Sequence, residues 1–318
     1  MKLSELLERY CEVNILSAQS ANTYLYVIRS FILYNASDPE IEDISLDTVL
    51  AYRKWTLARN AAITFNSKRR HLIAVCNFAC NHKLLARNVF KDVKPAPMEQ
   101  LPSKAIPGAV FDAYVQMLVN GRDIDGRGGS REMFHPQWFW LTVVKTLFLT
   151  GMRKRQLVGL EWRDVDFSEM SITLRAQTSK TRREWKVPIP DELLSYFEEL
   201  RRRTVEIRGP NLGIHQVFCL PLFSKRSANF VKRVMTPDNV NAFFLRFCKR
   251  LPPGSAKMSA HRIRHTTATM LAKTVSNLKV VQVQLGHTSF STTLLYVHPD
   301  LEEQRQAIRG LTALTRTV

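Results

Sequence analysis

The segment that most constrains the fold of this chain is a proline-rich run between residues 94 and 108. It reads Lys94-Pro95-Ala96-Pro97, then Leu101-Pro102, then Ile106-Pro107-Gly108. Proline fixes φ and lacks an amide hydrogen, so prolines at this density resist both helix and strand. We therefore predict an extended linker over residues 96–108, which separates a domain at 1–95 from a larger domain at 109–318. A length of 318 residues also fits two domains.

Residues 1–95 have the apolar spacing of amphipathic helices. Leu3, Leu6, Leu7, Tyr10 and Cys11 recur at helical intervals, which predicts a first helix. Further helices are predicted after a start at Ser20, after a cap at Ser45, and from about Thr64 to Cys80. The first domain is therefore predicted to be helical.

The larger domain has mostly the apolar spacing of helices, with a short stretch of strand-like alternation. We predict a glycine-rich loop over 120–131, whose arginines are either solvated or in contact with phosphate, and a buried helix over 138–149. Residues 171–175 and 185–189 alternate with period two around a polar turn, which predicts two strands. The sequence pattern of helices resumes at Asp191. The predicted fold class is mainly α, with a larger mixed α/β domain that holds a small antiparallel sheet.

The charge of the chain favours a polyanionic partner. Its formal net charge is +18, which makes nucleic acid the first candidate, although a generally basic protein is the alternative. No apolar run is long enough for a membrane span, and the first residues lack the apolar core of a signal peptide. The five cysteines are odd in number and scattered, as in reduced cytosolic proteins. We therefore expect a cytoplasmic protein that joins the nucleoid when it is bound to DNA.

Two local clusters allow more than one interpretation. Cys76 and Cys80 lie near His82, so a metal site is conceivable, but cysteine at helical spacing is more often a core residue. The run Lys68-Arg69-Arg70-His71 lies on the fourth predicted helix. It is either a solvated face or a set of phosphate contacts to DNA. Lys68, Arg69 and Arg70 are therefore candidates for DNA binding, and we expect no metal or cofactor.

The second domain holds residue types suited to chemistry on a phosphodiester. Arg153 follows Thr150-Gly151-Met152, and a guanidinium can donate two hydrogen bonds to phosphate oxygens. His261 and Arg264 are three residues apart, hence on one helical face, after a predicted cap at Ser259. His287 precedes Tyr296 by nine residues. A free phenol is mostly protonated near pH 7, so a tyrosine nucleophile needs a base or a strongly cationic neighbourhood.

In this order and spacing, these residues resemble the motifs of the tyrosine recombinase (phage integrase) family. The resemblance implies that Arg153, Lys180, His261, Arg264, His287 and Tyr296 are catalytic. Lys180 would lie on the turn between the two strands and protonate the departing 5′ oxygen. Its neighbours Arg182, Arg183 and Lys186 could be mistaken for it, and we expect Arg182 and Arg183 to contact DNA.

The resemblance also implies an architecture. The first domain would be the core-binding domain, a SAM-like bundle of four to five helices. We expect a simple Xer-like or mobile-element integrase without an arm-binding domain. One position departs from the family pattern: Gln156 stands where an acidic residue usually follows the first arginine. By the same pattern His265 is structural.

The function implied is site-specific cleavage and rejoining of DNA through a 3′-phosphotyrosine and a Holliday junction, without ATP. The expected partners are double-stranded DNA recombination sites, on which four copies of the chain would form a homo-tetramer. An accessory DNA-bending or directionality factor is a further candidate partner. The apolar positions Ile308, Leu311 and Leu314 suit docking of the last residues on a neighbouring subunit. Two alternatives remain: a non-catalytic DNA-binding protein on a recombinase scaffold, and a type IB topoisomerase-like or telomere-resolving enzyme.

Overall fold

The computed structural model describes residues 1–98, 104–124, 129–178, 183–224, 234–297, 304–305 and 308–309. The chain divides into two compact units, Met1–Pro102 and Ser103–Val318. Two residues of the segment interpreted as a linker belong to the cores of these units. Ala96 is buried in the first core and Ile106 in the second.

The described part of the first unit is a bundle of four α-helices: α1 (Leu3–Val13), α2 (Ala18–Asn35), α3 (Leu46–Leu57) and α4 (Ala62–Asn81). Short 3₁₀ turns follow α2 and α4. The predicted cap at Ser45 is confirmed, because its hydroxyl accepts the Thr48 amide. The predicted start at Ser20 is wrong. Ser17 caps α2 instead, and its hydroxyl accepts the Ser20 amide.

The core of the first unit is built from the apolar faces of its helices, with Phe31, Tyr52 and Phe90 stacked edge to face at its centre. Cys76 is part of this core. Across the described residues, no group of three or more His, Cys, Asp or Glu side chains could hold a metal ion.

The second unit begins with two helices and a small hairpin. They are α5 (Gly108–Asn120), β1 (Arg122–Ile124), β2 (Ser130–Glu132) and α6 (Gln137–Thr150). A glycine-rich loop was predicted over 120–131, but β1 and β2 pair antiparallel there as a hairpin. Residues 125–128, between the two strands, lie outside the described part. An ion pair between Asp123 and Arg250 fixes this hairpin to the end of a later helix. α6 is buried along most of its length, as its apolar sequence predicts.

A three-stranded antiparallel sheet follows the short helix α7 (Lys154–Val158). Its strands are β3 (Val165–Asp166), β4 (Ser171–Leu174) and β5 (Trp185–Pro188), in the order β3-β4-β5. The pairing of β4 with β5 confirms the two predicted strands, and Ile172 lies opposite Val187 on the buried face. β3 was not predicted because two residues are too few to show a period of two.

Helices make up the rest of the described second unit. They are α8 (Asp191–Arg208), α9 (Leu220–Phe223), α10 (Pro237–Cys248), α11 (Ala260–Thr274), α12 (Leu278–Leu285) and α13 (Phe290–Leu294). α6 packs against α5, α8 and α11, and is therefore the central helix of this unit. Within the described ranges no helix is both long and apolar enough to cross a membrane. The mainly helical fold with a small antiparallel sheet is as predicted.

Candidate active site

Arg153 is positioned by a sharp turn at the end of α6. Gly151 terminates the helix with φ +65°, a conformation that side chains disfavour. A Cβ there would also come within 2.7 Å of the Leu285 side chain. Arg153 is the N-cap residue of α7, and its amide donates to Gln156 Oε1 at 2.8 Å. The glycine is therefore required both by the backbone and by the close approach of α12.

Arg153 is half-buried, and the Nη1 atom of its guanidinium is fully buried. Among the described residues its Nη1 has no hydrogen-bond partner, and neither has Nε2 of Gln156. Burial lowers the pKa of Arg153, an effect that the nearby Tyr296 hydroxyl partly opposes. A buried cation with an unmet donor is unfavourable by itself and favours the binding of an anion. Gln156 takes the place of the usual acid as a hydrogen-bond acceptor but brings no negative charge.

Arg264 joins three parts of the second unit. It is the fifth residue of α11, and the predicted cap of that helix at Ser259 is confirmed by the bond from the Arg262 amide. The Arg264 side chain is 5% exposed and donates to Gly151 O at 2.5 Å and Leu285 O at 2.7 Å. Burial, and then Arg153, lower the pKa of Arg264 to about 9. These two bonds fix its guanidinium beside that of Arg153.

His261 and His265 lie on the same helix as Arg264. His261 is exposed at its surface, and its pKa is lowered by partial desolvation, then by Lys104 and Arg264. The ring of His265 meets the ring of Tyr296 edge to face, with centroids 4.7 Å apart. His265 was predicted to be structural, and the structure places it against the proposed nucleophile.

His287 follows a second left-handed glycine, Gly286, which terminates α12. Its side chain is 7% exposed, and its Nδ1 lies 3.0 Å from the hydroxyl of Thr293. Burial, then Arg264 and Arg153, lower the pKa of His287 to about 4, so the ring is neutral near pH 7. It stacks on Tyr296 at a centroid distance of 5.6 Å and an angle of 12°.

Tyr296 lies just after α13, where its amide donates to Thr293 O at 3.0 Å. The side chain is 9% exposed and belongs to a small core with Ala268, Val281 and Leu285. It interacts electrostatically with both Arg153 and Arg264. The phenol is therefore held within the same unit as both arginines, beside two imidazole rings.

The structure thus brings together four of the six predicted catalytic residues, Arg153, Arg264, His287 and Tyr296, with His261 close to Arg264. Lys180 lies outside the described residues, as does Arg182. Arg183 is described and exposed, just before β5. Their assigned roles stay predictions.

The basic run on α4 is only partly at the surface. Lys68 is 4% exposed and donates to the hydroxyl of Ser30 at 2.6 Å. Arg69 donates to the carbonyls of Val93 and Lys91. Arg70 is exposed. Lys68 is therefore not available to a phosphate in this conformation, Arg69 has internal partners, and Arg70 is the member that faces solvent.

Two residues that were not predicted from the sequence help to position the predicted catalytic side chains. Thr293 bonds to His287, and Gln284 donates from its side chain to Thr150 O at 3.0 Å. Both contacts depend on how helices pack. Thr293 and Gln284 lie close to the motif residues in sequence, which is the only signal that could have pointed to them.

Known proteins resemble this chain in sequence and in fold. A Pseudomonas syringae protein named for the tyrosine recombinase XerC is 29% identical over 314 residues, which are 97% of this chain and 64% of that protein. This chain therefore spans less than two thirds of the length of that relative.

Two solved structures share the fold. The Tn1549 transposon integrase, in complex with a circular intermediate DNA, has a TM-score of 0.75 at 18% identity and covers 97% of this chain and 99% of its own. A lambda integrase tetramer bound to a Holliday junction has a TM-score of 0.67 at 18% identity, covering 91% of this chain and 78% of its own.

The sequence also matches the phage integrase family over residues 139–303. This range is more than half of the chain and includes every residue from Arg153 to Tyr296. The chain therefore belongs to the phage integrase family of tyrosine recombinases.

Proposed function

We propose that this protein is a site-specific DNA recombinase that cuts and rejoins strands through Tyr296. One observation carries the proposal: the Tyr296 phenol lies in one buried cluster with Arg153, Arg264 and the neutral ring of His287. Such a cluster supplies a nucleophile and two cations for phosphate oxygens within a single subunit.

The two arginines would bind the scissile phosphate. Nη1 of Arg153 is buried without a partner among the described residues, so a non-bridging oxygen would satisfy it. Arg264 has two of its donors committed to carbonyls, which fix its orientation before DNA arrives. Positive charge placed in advance stabilises the charge that develops on phosphorus oxygens during attack.

The covalent step would exchange one phosphoester for another. The Tyr296 oxygen forms a bond to phosphorus while the bond from phosphorus to the 5′ oxygen breaks, which leaves a 3′-phosphotyrosine and a free 5′-hydroxyl. A histidine, His261 or His287, accepts the phenol proton; the lowered pKa of each leaves its ring unprotonated near pH 7, with a nitrogen lone pair for that proton. Lys180 donates a proton to the departing oxygen. A 5′-hydroxyl from a partner duplex then reverses the step and reseals the strand.

Double-stranded DNA is the proposed substrate, and a net charge of +18 favours it. Arg70 and Arg183 are the exposed candidates for phosphate contact in the described chain. Assembly as a homo-tetramer through a four-way junction is proposed by likeness to the lambda integrase structure. Ile308 is exposed, as docking on a neighbour requires, while Leu311 and Leu314 lie outside the described residues. An accessory factor and a nucleoid location stay predictions.

A covalent trap tests the proposal. Duplexes are first recovered from a random-sequence library by binding to the protein, then nicked at successive positions so that cleavage releases a short fragment. The wild type and Tyr196→Phe, a conservative change on α8, should give an adduct that resists detergent. Tyr296→Phe should bind the same duplexes and give none.

Other outcomes would favour the alternatives. Tight binding with no adduct at any nick position would overturn the proposal in favour of a non-catalytic DNA-binding protein. Relaxation of supercoiled DNA, without strand exchange between two duplexes, would indicate topoisomerase-like activity instead.

A further inference from the structure

Trp185 connects the sheet of the second unit to the turn that carries His287. It is the first residue of β5, and its indole Nε1 donates to Gln284 O at 3.3 Å. The indole also lies against the backbone of Gly286, where a Cβ would approach its ring atoms to between 2.3 and 2.7 Å. Gly286 is left-handed, with φ +62°. Only a glycine therefore fits under this ring without displacement.

The turn formed by Gln284, Leu285 and Gly286 receives contacts from three other elements. Arg264 on α11 donates to Leu285 O, and the Gln284 side chain donates to Thr150 O at the end of α6. Trp185 on β5 is the third contact. The next residue is His287, whose amide donates to Gln282 O at 3.0 Å. The position of the imidazole is thus set by a turn that is held on three sides.

We propose that Trp185 is a positioning residue for strand cleavage. Its indole supports the 284–286 turn, so that His287 stays stacked on Tyr296 and Leu285 O stays in reach of Arg264. This inference rests on the proposed function, because its effect is on the rate at which Tyr296 attacks the phosphate.

The two other contacts cannot replace the indole. The bonds from Arg264 and Gln284 join α12 to α11 and α6, whereas the flat ring meets Gly286 from the side of the sheet. Without the ring, the left-handed glycine has no side chain of its own to restrict it. The turn can then move relative to Tyr296, and a misplacement of about 1 Å can lower a rate on the order of a hundredfold.

Substitutions at Trp185 separate positioning from folding. On a nicked duplex that wild type cleaves, Trp185→Ala should form the adduct at least about tenfold more slowly in a single turnover. Its dissociation constant for the same duplex should stay within about twofold, because the indole does not bind phosphate. Trp185→Phe keeps a flat ring and loses one neutral hydrogen bond, so its rate should stay within about fivefold of wild type.

A double-mutant cycle tests the contact itself. Gly286→Ala should slow adduct formation strongly, because its Cβ meets the indole. In the Trp185→Ala background the same change should cost several-fold less, since the obstructing ring is absent. Gly254→Ala is the matched control: Gly254 is also left-handed, with φ +81°, but a Cβ there meets nothing within 4 Å. Its effect should be the same in both backgrounds.

The outcomes distinguish the inference from the function on which it rests. If wild type forms no adduct on any duplex that it binds, the proposed function fails. If wild type forms the adduct but Trp185→Ala does so at the same rate, the positioning role is overturned. It is also overturned if Trp185→Phe is as slow as Trp185→Ala, or if the Gly286→Ala penalty is equal in both backgrounds.

Discussion

Buried cations occur in both units of this protein, and they are satisfied in different ways. In the first unit, the ammonium of Lys68 is buried and bonded to Ser30, and it lies 5.5 Å from the centre of the Tyr26 ring. In the second unit, the half-buried Arg153 lies beside Arg264, and its buried Nη1 has no hydrogen-bond partner among the described residues. The sequence left the basic run that contains Lys68 open between a solvated face and phosphate contacts, and it predicted that Arg153 and Arg264 bind phosphate. The first has internal partners for its buried cation, whereas the second leaves a donor for a ligand.

The difference teaches what a buried positive charge can do. Lys68 has a lowered pKa because of desolvation, and its hydroxyl partner holds it inside the bundle. Arg264 also has internal partners, but its carbonyl acceptors come from the turns that carry Arg153 and His287. It therefore organises a site as well as filling space. Where a buried cation has unmet donors and a reactive neighbour, a ligand is expected, and where its donors are met, a scaffold role is expected.

The largest effect is predicted for a substitution of Arg264 in the second unit. Arg264→Ala removes a cation from the cluster and leaves two buried carbonyls without their donor. We expect the rate of adduct formation to fall by about a hundredfold to a thousandfold, as when one hydrogen-bond donor is removed from a preorganised oxyanion site. Arg264→Lys keeps the charge but not the planar fork, so it should recover only part of the rate. A single-turnover rate on a nicked duplex measures both, and wild-type speed in Arg264→Ala would contradict the site.

The salt dependence of DNA binding distinguishes the exposed Arg70 from the buried Lys68 on α4. Arg70→Ala should lower the slope of log affinity against log salt by about one, because an exposed cation that contacts phosphate releases one counterion. Lys68→Met is the matched change on the same helix, and it should leave this slope unchanged because Lys68 is buried. Titrations with a duplex of arbitrary sequence at several salt concentrations supply the slopes. A lower slope in Lys68→Met would mean that its ammonium reaches DNA after all.

Acid should destabilise the second unit through His287. Its pKa is about 4 in the folded protein and about 6.5 when exposed, so the unfolded chain binds the extra proton first as pH falls. The stabilisation is fully present above pH 6.5 and is lost as pH falls toward 4, by at most about 3 kcal/mol. Chemical denaturation at several pH values should show a smaller loss in His287→Gln than in wild type. Equal losses in the two proteins would contradict the burial of a neutral imidazole.

The smallest effect is expected at Gln156. Glu at this position supplies the same oxygen acceptor for the Arg153 backbone amide, and it adds a negative charge at a buried position of α7. We expect adduct formation by Gln156→Glu to stay within about threefold of wild type, since the hydrogen bond is kept. A gain of tenfold or more would show that the missing negative charge limits strand cleavage at this site.

The sequence by itself determined the elements and the chemical groups. Helical spacing predicted α1, and a period of two predicted β4 and β5. These are local patterns, because each residue's environment there follows from its neighbours in the chain. The motif residues from Arg153 to Tyr296 could likewise be named in advance, since their types and order are written in the sequence.

Tertiary structure decided which of those groups meet and which cations stay free. Three contacts join residues that are far apart in sequence. Arg264 donates to the carbonyls that lie two residues before Arg153 and His287. Trp185 covers Gly286, and the ammonium of Lys68 points inward to Ser30. Spacing along one helix tells which residues share a face, but it does not tell what packs against that face. The choice between a phosphate ligand and an internal partner depends on that packing, because burial without a partner is what makes a cation favour an anion.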